Sequence, residues 1–216
     1  MKVKLISHSQ GEKNESLQDI IAYTARVSNP SNQGSTETQE RLLRYLIREK
    51  HWSPFEMVSA CLEIETTRDI ARQLLRHRSF SFQEFSQRYA DPTKDLKFSM
   101  REARLQDTKN RQNSIEVDDP DLQLEWYKQQ SEVMVQARKS YEWAIENGIA
   151  KEQARAVLPE GIMESRLYVN GTIRSWIHYI ELRSGHGTQK EHIQLAVECA
   201  KALEPIFPMI TEFCHA

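Results

Sequence analysis

The chain has 216 residues and a formal net charge of −2, because 29 Lys and Arg stand against 31 Asp and Glu. This length predicts a single domain that buries roughly 70% of its unfolded surface and needs no disulfide or metal for stability. The balanced charge argues against a general nucleic-acid binder and against a membrane-surface protein.

The first half of the chain reads as alternating strands and helices. Residues 3–6 (VKLI) are apolar and partly β-branched, which predicts a first strand. A helix is expected over residues 16–27, and a second one begins at the capping-box pattern of residues 36–39. The rest of this half is predicted as a turn at 51–56, a strand at 57–66 and a helix at 68–76.

The second half is mainly helical. Residues 94–120 are polar and irregular, which predicts a long loop over other structure. A long helix over residues 122–147 ends before Gly148, and its inner stripe is predicted to contain Trp126, Val133, Ala137, Tyr141 and Ala144. The remaining predictions are helices at 151–158, 173–183, 188–203 and 205–214, a strand at 162–169, and a cap at Thr188-x-x-Glu191. No repeat or linker divides the chain, so residues 1–216 are predicted to form one α+β domain.

The cysteine and glycine content excludes several kinds of site. Cys61, Cys199 and Cys214 are an odd number without CxxC spacing, which predicts a reducing compartment and a soluble, cytoplasmic protein. The N-terminus has no signal-peptide core, and no apolar run approaches the ~20 residues that span a bilayer. With seven glycines, the chain has neither GxGxxG nor GxxxxGK[ST]. Any bound phosphate must therefore be held mainly by side chains, above all by Arg.

A basic and aromatic segment is the strongest candidate site. Residues 68–88 contain five arginines against two acids, a local balance of +3. The guanidinium fork suits bidentate binding of phosphate or carboxylate and stacks on flat rings. Arg68 and Arg72 are interpreted as a solvated helical face, whereas Arg76-His77-Arg78 ends the helix beside several phenylalanines. Glu84 could balance charge or bind a ligand, and Ser86 suits a phosphate ligand better than a nucleophile.

A second cationic set lies near the C-terminus. Arg174 and His178 share one helical face, and Arg183 turns away from it and could join them only around a shared ligand or at a helix end. Together with Arg155 and the segment 68–88, these residues would form a basic pocket with aromatic walls, suited to a nucleotide or another anionic ring ligand. The other histidines show no ligand spacing such as HExxH, so no metal site is expected.

The order of these motifs resembles one known family. RHRSFSFQEFS (76–86) is similar to the RHR-x7-S signature of flavin-dependent thymidylate synthases, the ThyX family. TARVSNP (24–30), HWSPFE (51–56) and SQRYA (86–90) fit the same pattern, as do ARAVLP (154–159) and IRSWIHYIELR (173–183). The resemblance covers residues 3–205.

This resemblance implies an enzyme, a FAD-dependent methyltransferase that converts dUMP into dTMP. 5,10-Methylenetetrahydrofolate would donate the one-carbon unit, NADPH the electrons, and FAD would relay them. The implied fold is a single ThyX-like α+β domain with a mainly antiparallel sheet packed by long helices. The family assembles as a homotetramer with shared active sites and does not depend on a cysteine nucleophile.

The resemblance also assigns residues. Arg183 matches the arginine that polarises the uracil ring and is the predicted catalytic residue. The predicted dUMP ligands are Gln73, Arg76, Glu84, Phe85, Ser86, Gln87, Arg88, Arg155 and Arg183. The predicted FAD contacts are Ser53, Arg76, His77, Arg78, Glu84, Thr172, Ile173, Arg174 and His178. His51 matches a histidine near the flavin with an open role, and Asn170 could exchange roles with Thr172.

Three other interpretations stay open from the residues alone. A non-catalytic nucleotide- or RNA-binding module could use the same arginines and aromatic rings, although the total charge argues against it. A hydrolase could use Ser86 as nucleophile and His77 as base, although no supporting elbow surrounds the serine. An inactive relative of the family could serve a structural role.

Overall fold

The structure, a computed structural model, describes residues 1–215. In chain order the elements are β1 (Lys2–His8), α1 (Leu17–Ala25), α2 (Gln39–Arg48), β2 (Ser59–Thr67), α3 (Arg68–Leu74), β3 (Ser81–Glu84), α4 (Pro92–Asp95), β4 (Arg104–Gln106), β5 (Ser114–Glu116), α5 (Pro120–Glu146), α6 (Lys151–Ala154), β6 (Glu164–Thr172), α7 (Ile173–Ser184) and α8 (Lys190–Leu203). Short 3₁₀ helices span Pro30–Asn32, Ser53–Glu56, Arg155–Val157 and Pro208–Phe213.

An antiparallel sheet forms the centre of the fold. Its strand order is β1-β2-β6-β3, and each neighbouring pair is antiparallel. Ala60, Leu62 and Ile64 alternate with half-buried residues along β2, so one face of the sheet packs on the core. The strands predicted at 3–6, 57–66 and 162–169 are confirmed, and so is the α+β class with a mainly antiparallel sheet.

Helices α7 and α8 cover the buried face of the sheet. Trp176 of α7 is fully buried, and its indole Nε1 donates a hydrogen bond to the carbonyl of Ala60 on β2 at 3.0 Å. Phe80 packs on the same indole with ring centroids 4.5 Å apart. The two rings join the sheet, α7 and the segment after α3 into one apolar core. That all 216 residues form one catalytic domain stays a prediction.

Helix α5 lies partly outside this core. Asp119 caps its N-terminus by accepting from two backbone N–H groups, and Gly148, at φ 76°, follows its last turn. Ala137, Tyr141 and Ala144 are buried as predicted. The predicted inner stripe of α5 is wrong in its N-terminal half, because Trp126 and Val133 are 43% and 52% exposed.

Neither α5 nor any other helix of residues 1–215 is long and apolar enough to cross a membrane.

The region predicted as a long loop is partly ordered. Strands β4 and β5 form a hairpin within it, and Phe98 makes an isolated bridge to Met163. Arg101 forms an ion pair with Asp69 at 2.7 Å, so the loop is fixed to the start of α3. These contacts join residues far apart in sequence, which local composition cannot reveal.

Three local predictions are wrong. Thr38 precedes α2 and Gln189 precedes α8, each without a side-chain cap, so the capping boxes predicted at 36–39 and at Thr188 do not form. A capping box forms instead at Ser16, where Asp19 at position N3 returns the hydrogen bond. The helix predicted at 205–214 is a 3₁₀ helix, Pro208–Phe213.

Gly171 on β6 makes room for Phe80, and this contact can be tested. A Cβ at Gly171 would lie 2.3 Å from Phe80 Cδ1, so Gly171→Ala must displace a ring that packs on Trp176. We expect the free energy of unfolding in urea to fall by about 1–3 kcal/mol, the usual cost of overpacking. Gly161→Ala is the matched control, because no atom lies within 4 Å of its added Cβ. Equal stability of the two variants would contradict this packing role.

Candidate active site

The Arg-His-Arg segment forms the turn between α3 and β3. The N–H of His77 donates to the carbonyl of Leu74 at 3.0 Å, which ends the helix. Phe80, only 7% exposed, then anchors the chain in the core before β3 begins. Because both ends of the turn are fixed, Arg76 and Arg78 extend into solvent on either side of the half-buried His77.

His77 and Arg183 are in direct contact. The Nε of Arg183 donates to Nε2 of His77 at 2.9 Å. Burial lowers the pKa of His77 to about 4, and the positive charges of Arg183, His178 and Arg76 lower it further. The imidazole is therefore neutral at neutral pH, with its proton on Nδ1. This contact places Arg183 beside the Arg-His-Arg turn.

Arg174 and His178 line a separate cleft of about 430 Å³ together with Trp52, Glu56 and Ser79. Arg174 donates to Glu56, which holds its guanidinium at the cleft edge. Ser53 begins the 3₁₀ helix that carries Glu56, and both Ser53 and His51 are exposed. Of the predicted flavin residues, Arg174 and His178 line this cleft, whereas Ser53 and His51 are not part of its lining.

The start of α7 is fixed by its own hydrogen bonds. Thr172 is the N-cap, and its hydroxyl accepts from the N–H of Ser175 at 3.2 Å. Ile173 is fully buried in the core, and its N–H donates to the carbonyl of Val58. Asn170 is exposed on the outer face of the sheet. The bonds of Thr172 and Ile173 thus fix the start of the helix that carries Arg174 and His178 to the cleft.

Two buried residues, Ser165 and Arg68, hold the carboxylate of Glu84 in place. Its Oε1 accepts from the hydroxyl of Ser165 at 2.8 Å and lies 3.5 Å from Nη1 of Arg68. Arg68 is only 7% exposed, so its interpretation as a solvated residue is wrong, whereas Arg72 is exposed and pairs with Glu160. No local pattern marks Ser165, and helical spacing alone could not separate Arg68 from Arg72.

Arg155 lies on the same side of the molecule. It directly follows α6, and Glu152 of α6 forms an ion pair with Arg88, four residues beyond β3, at 3.2 Å. The two cationic sets that the sequence separates by more than sixty residues therefore meet in the fold.

Residues 85–88 form the turn after β3. The N–H of Phe85 donates to the carbonyl of Arg166 at 2.8 Å, which continues the pairing with β6. The hydroxyl of Ser86 accepts from the N–H of Arg88, and no hydrogen bond joins it to His77 in the described chain. Gln87 is 4% exposed, and its Nε2 has no partner among residues 1–215. A buried amide without a partner suits a ligand atom at this turn.

The site contains arginines of two kinds. Arg68, Arg88 and Arg174 each pair with a carboxylate. In residues 1–215, no carboxylate lies within 4.0 Å of Arg76, Arg78, Arg155 or Arg183. Guanidinium groups without an internal counter-ion are suited to an anionic ligand.

A further cleft of about 550 Å³ contains Glu12, Glu15 and Asp19, and its acidic lining is unfavourable for phosphate.

Sequence reasoning missed the groups that hold Gln73. The side chain of Gln73 contacts His192 and Gln189, both on or next to α8, more than 115 residues away. No local pattern marks these positions.

Within the described residues, no group of three or more His, Cys, Asp or Glu is arranged to hold a metal ion.

Comparison with known proteins agrees with the motif order. The family described as Thymidylate synthase complementing protein (Thy1) matches residues 4–209. A probable flavin-dependent thymidylate synthase of Paramecium bursaria Chlorella virus 1 is 48% identical over 98% of both chains. A flavin-dependent thymidylate synthase of Synechocystis is 48% identical over 90% of this chain and 88% of its own. The crystal structure of the UMP/dUMP methylase PolB from Streptomyces cacaoi, bound with 5-Br dUMP, has a TM-score of 0.80 at 25% identity, covering 98% of this chain and 93% of PolB.

The low pKa of His77 predicts acid sensitivity. In the unfolded chain a histidine binds a proton near pH 6.5, whereas folded His77 does so only near pH 4. Between these values the unfolded chain holds more protons, so the free energy of unfolding decreases as the pH falls from 6.5 to 4. His192, with a pKa of about 3, acts in the same direction.

We therefore expect His77→Asn to reduce the difference in urea midpoint between pH 7.5 and pH 5. His8→Asn is the control, because His8 is exposed at the end of β1. If the His77 variant keeps the full wild-type difference, its imidazole is not held neutral by the fold.

Proposed function

Because the chain belongs to the family of flavin-dependent thymidylate synthases, we propose that it reductively methylates dUMP to dTMP with FAD as cofactor. One observation carries the proposal for this site: within residues 1–215, Arg76, Arg78, Arg155 and Arg183 have no carboxylate partner, and the buried side-chain amide of Gln87 has no hydrogen-bond partner. This donor set suits a nucleotide, which combines phosphate with a hydrogen-bonding ring.

The dUMP phosphate and sugar are proposed to bind at the turn after β3. Arg76, Arg88 and Arg155 supply guanidinium forks for the phosphate, and Ser86 and Gln87 add hydroxyl and amide donors. Glu84, already fixed by Ser165 and Arg68, is an acceptor for ligand hydroxyl or N–H groups. Phe85, which is half-buried beside these groups, offers an apolar surface for the ring.

Arg183 is the proposed catalytic residue. Its Nε is bound to His77, so both Nη groups stay free for the uracil ring. A fixed guanidinium stabilises negative charge that develops on the ring as it is attacked. Because His77 is neutral, it orients this guanidinium without cancelling its charge.

The residues around the Arg174 cleft fit FAD. Arg174 and His178 line this cleft and offer donors for the phosphates and ring of FAD. Arg76, His77, Arg78, Glu84 and Ser53, which lie outside the lining of the cleft, are proposed as further polar contacts. When bound, FAD supplies the transfer of reducing equivalents to the one-carbon unit. Thr172 and Ile173 are committed to the cap and core of α7, so their proposed contribution is to fix the start of the helix that carries Arg174.

The remaining reactants belong to the same proposal. 5,10-Methylenetetrahydrofolate is the proposed one-carbon donor and NADPH the reductant, as the family resemblance implies. We also propose a cytoplasmic location, supported by the free state of Cys61, Cys199 and Cys214.

A homotetramer is the proposed assembly. Leu124 and Val135 lie on the face of α5 opposite its buried residues, Tyr127 lies on the flank next to them, and each of the three is more than half exposed. A long helix that is apolar on both sides indicates a second contact surface. A second copy of the chain would cover this stripe and could complete the active site.

Arg183→Ala tests the catalytic assignment. We expect a folded protein that binds FAD, shows the visible flavin spectrum and forms dTMP at least about 100-fold more slowly, the cost typical of losing one charge-stabilising donor. Arg41→Ala is the control, because Arg41 is exposed on α2. Near-normal turnover of the Arg183 variant would contradict the catalytic role of Arg183.

The flavin itself tests the function. Anaerobic NADPH with dUMP should bleach the spectrum of the wild-type protein, and adding the folate should then yield dTMP. If no flavin binds under any condition, the arginines belong to a nucleotide- or RNA-binding module, and salt-dependent binding becomes the measurement.

The assembly is tested by Tyr127→Asp and Val135→Asp together. Two carboxylates would be desolvated in the proposed interface, so the sedimentation coefficient should fall to that of a smaller species. Gln129→Lys and Gln136→Lys, polar changes at exposed positions on the other flank of the same helix, are the matched controls. A wild-type protein that sediments as a monomer would contradict the tetramer.

A further inference from the structure

A chain of side-chain hydrogen bonds runs from the core to the surface through Gln73. The hydroxyl of Tyr179 lies 3.2 Å from Nε2 of His192, and Nδ1 of His192 lies 3.1 Å from Oε1 of Gln73. Nε2 of Gln73 donates to Oε1 of Gln189 at 2.9 Å. We name these residues, with Glu191 and Arg104, the Gln73 relay: Tyr179, His192, Gln73, Gln189, Glu191 and Arg104.

Glu191, at the outer end of the relay, determines which group donates and which accepts in each hydrogen bond. Nε2 of Gln189 donates to Glu191 at 2.9 Å, and Nη2 of Arg104 donates to the same carboxylate at 2.6 Å. Burial raises the pKa of Glu191, but the hydrogen bonds from Arg104 and Gln189 outweigh it and hold the pKa below its usual range. An ionised carboxylate only accepts, so Gln189 must present its amide N–H to Glu191 and its carbonyl to Gln73.

The same assignment of donors and acceptors extends to the buried residues of the relay. Gln73 must present its N–H₂ to Gln189 and its carbonyl to His192, so His192 must donate from Nδ1. Nε2 of His192 is then an acceptor for the hydroxyl of Tyr179. Every member has one allowed orientation, and both His192 and Tyr179 are fully buried, so none can turn to water.

We propose that His192 is a positioning residue for nucleotide binding, which holds the amide of Gln73 in one orientation through its Nδ1–H. Gln73 then keeps one N–H and one carbonyl lone pair for a ligand, a donor and an acceptor side by side. A uracil edge or a sugar hydroxyl has the complementary pair. This inference rests on the proposed function, in which Gln73 contacts dUMP.

His192 itself is neutral at neutral pH. Its hydrogen-bond partners are Tyr179 of α7 and Gln73 of α3. Burial is the main reason that the pKa of His192 falls to about 3, and the charges of Arg183 of α7 and His77 of the turn lower it further. At neutral pH the Nδ1–H of His192 therefore keeps the carbonyl of Gln73 in one orientation.

Two substitutions separate positioning from stability. In His192→Asn the side-chain N–H₂ lies near the place of Nδ1, so the bond to Gln73 is kept and the one to Tyr179 is lost. In His192→Gln the amide lies near the place of Nε2, so the bond to Tyr179 is kept and the one to Gln73 is lost. Both leave one buried group without a partner, so their losses of stability should be similar.

The measurement is the dissociation constant of dUMP for the FAD-loaded protein. We expect His192→Gln to weaken dUMP binding about tenfold, or about 1.4 kcal/mol, with unchanged FAD content. His192→Asn should stay within about threefold of wild type. Gln189→Ala, which removes the other anchor of Gln73, should also weaken dUMP binding, whereas Gln194→Ala on the exposed side of α8 is the control.

A double-mutant cycle decides whether His192 acts through Gln73. In the Gln73→Ala background, His192→Gln should cause no further loss of dUMP affinity. Additive losses, or equal dUMP affinity of the Asn and Gln variants, would overturn the inference while leaving the proposed function intact. A wild-type protein that binds FAD but not dUMP would instead remove the proposed function and the inference with it.

Discussion

A guanidinium without a carboxylate partner, bound to a neutral imidazole, is the contact on which this site depends. A carboxylate partner would neutralise the positive charge of Arg183. His77 provides an acceptor without charge, and burial together with nearby cations keeps its pKa low. The fold therefore fixes the position of a cation and preserves its electrostatic effect.

The other arginines of the site differ in burial and in whether they have a carboxylate partner. Arg68 is buried against Glu84 and Glu160 and serves as structure, because a buried charge must be compensated. Arg76 and Arg78 are exposed and need no internal counter-ion, so they can meet a phosphate. The position of Glu84 is set by the buried residues Arg68 and Ser165, which both contact its Oε1.

Local sequence patterns predicted most of the elements but not their ends. The alternation of β2 and the apolar stripe of α7 gave correct assignments, because burial of one face leaves a period in the sequence. The capping boxes at 36–39 and Thr188 failed, because a cap needs a backbone geometry that tertiary contacts choose. The hairpin β4–β5 was missed, since its order comes from α8 and α3 through Arg104 and Arg101.

By itself the sequence determined the family, the α+β class and the identity of the charged groups, since motif order and residue type are properties of the chain alone. Only the tertiary structure decided which charges are free. It buried Arg68, left Arg183 unpaired and brought His192 to Gln73 across more than a hundred residues. Pairing and burial depend on distances between remote segments, and those distances exist only after the sheet and helices have packed.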